Sequence, residues 1–410
     1  MASVNLDAIL KSLYDEMVGE LYLENGYFYN HVKKTTNFKG DDNKVSFDLG
    51  EGGGGGAFVL STSIANQGSD NLARMTITRK KDYATFQINQ ETIDAATSPG
   101  ALKDGLKLTT RNAMRRIERS MGIQMARNGG GARGRIASTS TVNTTTITLQ
   151  NPAEAANFTE KMVVNVASTD GTSGAIEVGA VTLDGVDRDA GTLRGTAIWN
   201  VAIPTVAPSM WVFRNGDFAA ANQAMKGVAA WVPTSAPTLG DSFNGLDRST
   251  NPTMLAGVRY SAGAGGRIEN TLVQLSARLA VTGSKCDVCI MNPLDVADFI
   301  NELGAKATYQ KIGYKGGKAD AAFEGVNINT AMGTIPVIGD LNFPMGLAYM
   351  LQMDTWEFRT LLKAPRFLTA GDDDRILRRN PDRSDSYVGD IGYYGDLICH
   401  EPGHNGVGTL

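Results

Sequence analysis

Apolar positions along the first third of the chain change their period twice, and each change marks an element. Leu6, Ile9, Leu10, Leu13, Met17, Leu21 and Leu23 recur near helical spacing within residues 5–32, with Asn5 as N-cap. A polar arm follows from Lys39 to Arg74. It holds a short strand at Val45 to Leu49 and five consecutive glycines, Gly52, Gly53, Gly54, Gly55 and Gly56. Met75 to Thr78 and Thr85 to Asn89 alternate at period two and predict strands. Ser98 then supplies an N-cap and Pro99 the first helical position. Leu102, Leu106, Ala113, Ile117, Met121 and Met125 make one stripe over residues 101–127, a helix of roughly 40 Å at about 1.5 Å per residue. It stops at Asn128-Gly129-Gly130-Gly131. Arg111, Arg115 and Arg119 stand four apart on an adjacent face, flanked by Arg116.

Residues 39–131 cannot make a domain by themselves. A two-stranded arm with little apolar content is marginal in water, and an amphipathic helix needs something over its stripe. The expected neighbour is another copy of the same chain, which points to assembly rather than catalysis.

Beyond the helix the pattern becomes all-β. Thr146 to Leu149, Met162 to Val166, Ile176 to Leu183, Thr192 to Trp199 and Met210 to Phe213 read as short strands. Asp170-Gly171, Asp184-Gly185 and Asn215-Gly216 stand at hairpin positions. Residues 138–217 therefore read as a compact inserted β module. From 218 onward the pattern is mixed, with helices at Asn270 to Ala280 and Pro293 to Leu303. Strands are expected at Cys286 to Met291, Val326 to Asn329, Ile335 to Ile338, Ala348 to Met353 and Tyr393 to Cys399.

Bulk composition narrows the function classes. The 410 residues suffice for two or three domains, and the 47 glycines fit a loop-rich, β-rich chain. A net charge of −4 argues against a protein built to grip nucleic acid tightly. The N-terminus has no basic, apolar leader pattern and no window spans a membrane, so a soluble cytoplasmic product is expected. Three cysteines make no disulfide framework.

The search for chemistry returns little. Cys286, Cys289, Cys399, His400 and His404 could form a zinc site on paper, but strand positions three apart point to opposite faces. Buried structural cysteines are the better reading. Gly313 to Lys318 is one residue short of a phosphate loop, with Ala319 where a magnesium-ligating hydroxyl belongs. Asp187-Arg188-Asp189 hints at a calcium loop, but its twelfth position is Ile198. The run Asp372-Asp373-Asp374 reads as a solvated face or salt-bridge partner. No catalytic, cofactor-binding or metal residues are assigned. The arginine stripe faces nucleic acid, or else pairs with acidic groups of a neighbouring chain or stays solvated. Absence of interleaved aromatics and the acidic total favour the second reading over nucleic acid.

The order of elements resembles the major capsid proteins of tailed bacteriophages, a fold shared with encapsulins and herpesvirus shells. Asp82 to Ala96 looks like the strand leading into that family's spine helix, and Asn128 to Ile136 like the turn after it. Phe243 to Thr250, Met291 to Leu294 and Gly392 to Cys399 also look like family segments. The resemblance implies an α+β capsid fold, and the inserted all-β domain is a departure from the minimal family plan that some members share. On its mapping, 1–42 is an N-terminal arm, 43–82 the extended loop, and 83–137 the peripheral domain with the spine helix. The insertion occupies 138–217, the peripheral domain returns over 218–280, the axial domain takes 281–365, and 366–410 return to both.

It further implies a shell subunit of hexamers and pentamers enclosing double-stranded DNA, contacted non-specifically, with no cofactor and no enzymatic role. A separate scaffolding protein is expected, since the segment before the loop is short for a fused one; a portal and a decoration protein are further implied partners. The expected location is the virion, assembled in the host bacterial cytoplasm. Candidate subunit-interface residues are Gly52, Gly53, Gly54, Gly55, Gly56, Arg74, Arg79, Lys80, Lys81, Arg111, Arg115 and Arg119. An encapsulin-type compartment is the alternative, followed by a non-viral β-rich surface-binding protein.

Overall fold

The computed structural model describes residues 26–49, 72–91, 99–218, 224–263, 265–303, 309–312, 323–369, 376–380, 382 and 385–410. The expected helix near the N-terminus, the glycine pentad, the Gly313–Lys318 loop and the Asp372–Asp374 run lie outside these residues.

A short helix α1 (Tyr27–His31) leads into β1 (Lys33–Thr35). β2 (Asp42–Asp48) and β3 (Leu72–Thr78) pair antiparallel from Asp42 opposite Thr78 to Asp48 opposite Leu72. Alternation buries Val45 and Phe47 on one strand and Ala73, Met75 and Ile77 on the other. These side chains join the main core, where Phe47 packs on Trp231 with ring centroids 6.4 Å apart. The foot of the hairpin is thus anchored in its own chain, and its apolar face is larger than the arm's polar composition implies.

β4 (Lys80–Asn89) follows, then the spine helix α2 (Pro99–Ala126), 28 residues long. Ala113, Met114, Ile117, Met121 and Met125 are buried against β4 and a late strand that carries Ile391, Tyr393 and Leu397. The chain's own sheet covers the stripe from Ala113 to Met125. The expectation that a second copy must cover it is therefore corrected: the partner strand comes from more than 260 residues away, beyond the reach of periodicity. Gly129 and Gly131 end the helix with φ of +83° and +89°, where a side chain on Gly131 would strike the Asp217 carbonyl.

The inserted module contains β5 (Ala132–Arg135), β6 (Thr146–Thr148), β7 (Val163–Ala167), β8 (Val181–Asp187), β9 (Thr192–Gly195) and β10 (Trp211–Arg214). Its order is β5-β10-β7-β8-β9-β6. The two edges meet: Ile136 bridges Leu149, Ala137 N donates to Thr148 O (2.9 Å), and Gln150 N donates to Arg135 O (2.7 Å). The module is a small closed barrel with no strand edge left for pairing. Its separate core includes Ile147, Val164, Val166, Leu183, Leu193, Trp199 and Val212.

Three details differ from the periodicity. Pairing in β8 starts at Val181, not Ile176, and Asp184-Gly185 is a bulge inside that strand rather than a turn. β9 ends at Gly195, and Trp199 opens a helical turn with its indole donating to Thr145 O (3.0 Å). The barrel's first strand begins at Ala132, directly after the glycine turn.

The rest of the chain builds two sheets. A small hairpin of β11 (Ser242–Phe243) and β12 (Leu246–Asp247) precedes β13 (Val258–Ser261), α3 (Ile268–Val281), β14 (Val288–Met291) and α4 (Pro293–Leu303). Then come β15 (Tyr309–Ile312), β16 (Phe323–Thr330), β17 (Gly333–Gly339) and β18 (Leu347–Leu351). β19 (Trp356–Thr360), β20 (Arg366–Leu368), β21 (Leu377–Arg379), β22 (Ser386–Cys399) and β23 (Gly406–Thr409) complete it. One seven-stranded sheet runs β13-β23-β18-β14-β17-β16-β15, with Leu272, Leu275 and Leu279 of α3 packed on Cys289, Val337 and Met350.

The other sheet is organised by β22. One edge pairs β4 from Ser386 opposite Asn89 to Gly395 opposite Lys80; the other takes β19, β20 and β21 in succession. β1 adds parallel to β19. Buried Asp340 ties α1 down by accepting from Phe28 N (3.1 Å), while Phe28 meets Phe343 and Trp356 edge-on.

Candidate assembly surfaces

Asp82 of β4 is where hairpin foot, spine helix and barrel meet. Its carboxylate accepts from Ser120 Oγ (2.5 Å) and Gln124 Nε2 (2.9 Å) of the helix, and from Arg214 Nη2 (3.1 Å) at the end of β10. Arg214 also donates through Nε to Asp217 (2.8 Å), which takes Arg133 Nε at 2.9 Å. Gln124 Oε1 accepts from Met225 N (3.0 Å) and Tyr393 OH (3.2 Å), extending the network to β22. Burial lowers the Arg133 pKa, and Asp217 opposes that shift. Burial also acts on Arg214, but Asp217 and Asp82 outweigh it and hold its pKa up. A second fastening lies one turn on, where Arg127 Nη1 meets Glu154 at 3.1 Å and Asn128 Nδ2 meets Asp170 at 2.6 Å. The barrel is clamped to the helix by paired charges with few degrees of freedom left.

Sequence reasoning did not single out Arg133, Arg214 or Asp217. Their partners are up to 132 positions apart, and the only local signal is the charge density around the glycine turn.

The expected interface residues divide into several environments. Arg74 is exposed on β3, and Lys81 is exposed on β4. Arg79 donates to Asp41 (2.8 Å) and to the Gly40 carbonyl (3.1 Å), holding the hairpin foot closed. Lys80 does not belong to a surface: it is only 6% exposed, and the pleat turns it inward toward Asp396. Its place among the interface residues is corrected on that ground. Burial pushes the Asp396 carboxyl up to about 7, against the pull of Lys80 and Lys226. Arg111 and Arg115 of the spine helix are half-buried, and Arg116 is exposed. Arg119 is half-buried; burial, then the nearby Arg188 and Arg133, lower its pKa.

The remaining chemistry-bearing residues have structural settings. Cys289 and Cys399 are buried and Cys286 is half-buried; burial pushes the Cys286 and Cys399 thiols up to about 12. His400 Nε2 lies 2.9 Å from Glu357, and His404 Nδ1 lies 2.7 Å from Glu401. Asp187 accepts from the backbone N–H groups of Asp189 and Ala190, both at 3.0 Å, and so shapes the β8–β9 turn. A cleft of about 660 Å³ between barrel and body carries charges that pair with each other, Arg127 with Glu154 and Arg248 with Asp241.

The sequence matches no protein-family model and no curated protein. The structure aligns with the cyanophage A-1(L) capsid asymmetric unit at a TM-score of 0.53, over 93% of this chain and 89% of that one, with 10% identity. The fold is the phage capsid fold. Two further solved structures are similar at a TM-score of 0.43. One is the SrpI encapsulin of Synechococcus elongatus PCC 7942, at 8% identity over 92% of this chain and 84% of that one. The other is the capsid of a native GTA particle, at 10% identity over 93% and 88%.

Proposed function

We propose that this chain is the major capsid protein of a tailed bacteriophage, self-assembling into an icosahedral shell around double-stranded DNA. The capsid fold over nearly the whole chain is the observation that carries the reading. The hairpin foot rooted in the core and a spine helix packed on the chain's own sheet from Ala113 to Met125 suit a subunit whose contacts repeat around symmetry axes. On this reading residues 43–82 form the extended loop reaching a neighbouring subunit, and 281–365 form the axial domain. Arg74, Lys81, Arg111, Arg115 and Arg119 take part in subunit packing. A separate scaffolding protein, a portal and a decoration protein complete the particle, which is assembled in the bacterial cytoplasm.

Expression of the chain with and without its neighbouring phage genes, followed by electron microscopy, tests the proposal. Megadalton shells with nuclease-protected DNA in infected cells support it. Shells filled with protein cargo would replace it with an encapsulin-type compartment, and a monomer under every condition would overturn it. Closed, uniform shells from this chain alone would refute the need for a separate scaffold.

A further inference from the structure

A recess of about 380 Å³ opens at the Asp82 joint, between β4, the spine helix and the barrel. Five cations line it: Lys81 from β4, Arg116 and Arg127 from the helix and its end, and Arg133 and Arg214 from the barrel. Asp82 and Asp217 are the only carboxylates in that lining, and both are already engaged. Asp82 holds Ser120, Gln124 and Arg214, while Asp217 holds Arg133 and Arg214. Arg127 pairs through Nη1 with Glu154, which leaves its buried Nε without an acceptor. Lys81 and Arg116 are exposed, and neither has a carboxylate partner among the described residues. The recess therefore carries two positive charges beyond its internal pairs.

The charge beside the recess has the same sign. Arg119 has its pKa lowered by burial and then by Arg188 and Arg133, so neighbouring charges add instead of cancelling. Gly129, Gly131 and Gly216 give the recess a wall free of side chains, and a Cβ at Gly216 would meet no atom within 4 Å. The volume lies in the range of small-ligand sites, roughly 300–1,000 Å³.

We propose that this recess binds a small phosphate-class oxyanion, held by Lys81, Arg116 and Arg127. Lysine and arginine side chains both recognise phosphate, as a point charge and as a fork of donors. A dianion cancels the two excess charges. Its tetrahedral oxygens also reach cations that arrive from different elements, whereas a carboxylate supplies one charge and two oxygens in a plane. Water would satisfy the donors and leave the charge uncompensated. A nucleic-acid backbone offers the same phosphate chemistry, but the chain's net charge of −4 opposes its approach. The site is complete within one subunit, so the inference stands apart from the shell reading.

Titration calorimetry of the unassembled full chain with inorganic phosphate, at constant ionic strength, tests the site. One saturable site per subunit is expected, with sulfate competing and chloride not. Phosphate should also raise the melting temperature, because a ligand of the folded state stabilises it by mass action. Lys81→Gln and Arg116→Gln remove exposed side chains that lack a carboxylate partner, so both should melt as wild type does without phosphate. Each should weaken phosphate binding about tenfold, the loss of one hydrogen bond to a charged group. Arg378→Gln, an exposed arginine on β21 outside the recess, should bind phosphate as wild type does. Equal weakening by Arg378→Gln and Arg116→Gln would reduce the effect to general charge and overturn the site. Absence of saturable binding would overturn it too, leaving the recess to water. A short DNA duplex that binds through Arg116 where inorganic phosphate does not would replace the free ion with a nucleic-acid backbone.

Discussion

Replacing Asp82 by Ala should loosen the joint on which hairpin, spine and barrel depend. The carboxylate accepts from Ser120 Oγ, Gln124 Nε2, Arg214 Nη2 and the Tyr83 N–H. Removing one partner of a buried ion pair costs about 3–5 kcal/mol. Arg214 retains Asp217, which moves its share toward the lower end. Ser120 and Gln124 each lose a charge-assisted hydrogen bond, worth about 1.5–3 kcal/mol apiece before non-additivity. The expected total is about 3–5 kcal/mol. Asp82→Asn keeps shape and one acceptor and should cost about half as much. Urea unfolding of the unassembled subunit gives the cost from the midpoint and slope. A double-mutant cycle with Arg214→Met isolates the pair, with a coupling of at least 1 kcal/mol expected. A total cost below about 1 kcal/mol for Asp82→Ala, or no coupling to Arg214, would refute the clamp.

Ile117→Ala should destabilise the isolated subunit by about 2–5 kcal/mol, because the chain's own sheet already buries this side chain; a cost appearing only in shells would contradict the intramolecular covering. Gly26→Ala should release α1, since the added Cβ would lie 2.0 Å from Asp340 Oδ1, with a loss of about 2–3 kcal/mol and faster amide exchange at Phe28. Burial opposes ionisation of Glu357, but hydrogen bonds from Arg359, Thr35 and His400 outweigh it and lower its pKa to about 2 from the ordinary 4.5. Its contribution is present above pH 4.5 and lost as pH falls toward 2, so Glu357→Gln should flatten stability in that window. Asp396 has the opposite sign: burial raises its pKa from 3.8 to about 7, so the folded state holds a proton the unfolded state releases. Its contribution to stability falls as pH rises from 3.8 to 7, and Asp396→Asn should remove that slope in urea midpoints measured across the range.

Particular elements show what could be read from the chain and why. The spine helix was legible because Pro99, the stripe from Ala113 to Met125 and Gly129 to Gly131 are all local signals. Helix α4 was legible for the same reason, with its bounds Pro293–Leu303 as the periodicity gives them. Asp184-Gly185 misled because a glycine after an aspartate serves a bulge as well as a turn, and only pairing with β9 separates the two. Lys80 misled because its strand alternates, so a charge adjacent to the exposed Lys81 faces the interior.

The sequence by itself determined the local grammar of this protein: a polar arm, a strand, a capped long helix, an all-β insertion and a mixed body. These follow from interactions within a few residues, where periodicity and capping act. Tertiary structure decided what covers what. β22 closes over the helix from the far end of the chain, the barrel joins its own edges, and Asp82 meets Arg214 across 132 positions. Such contacts depend on chain topology and on pairing burial with charge, which no local window contains.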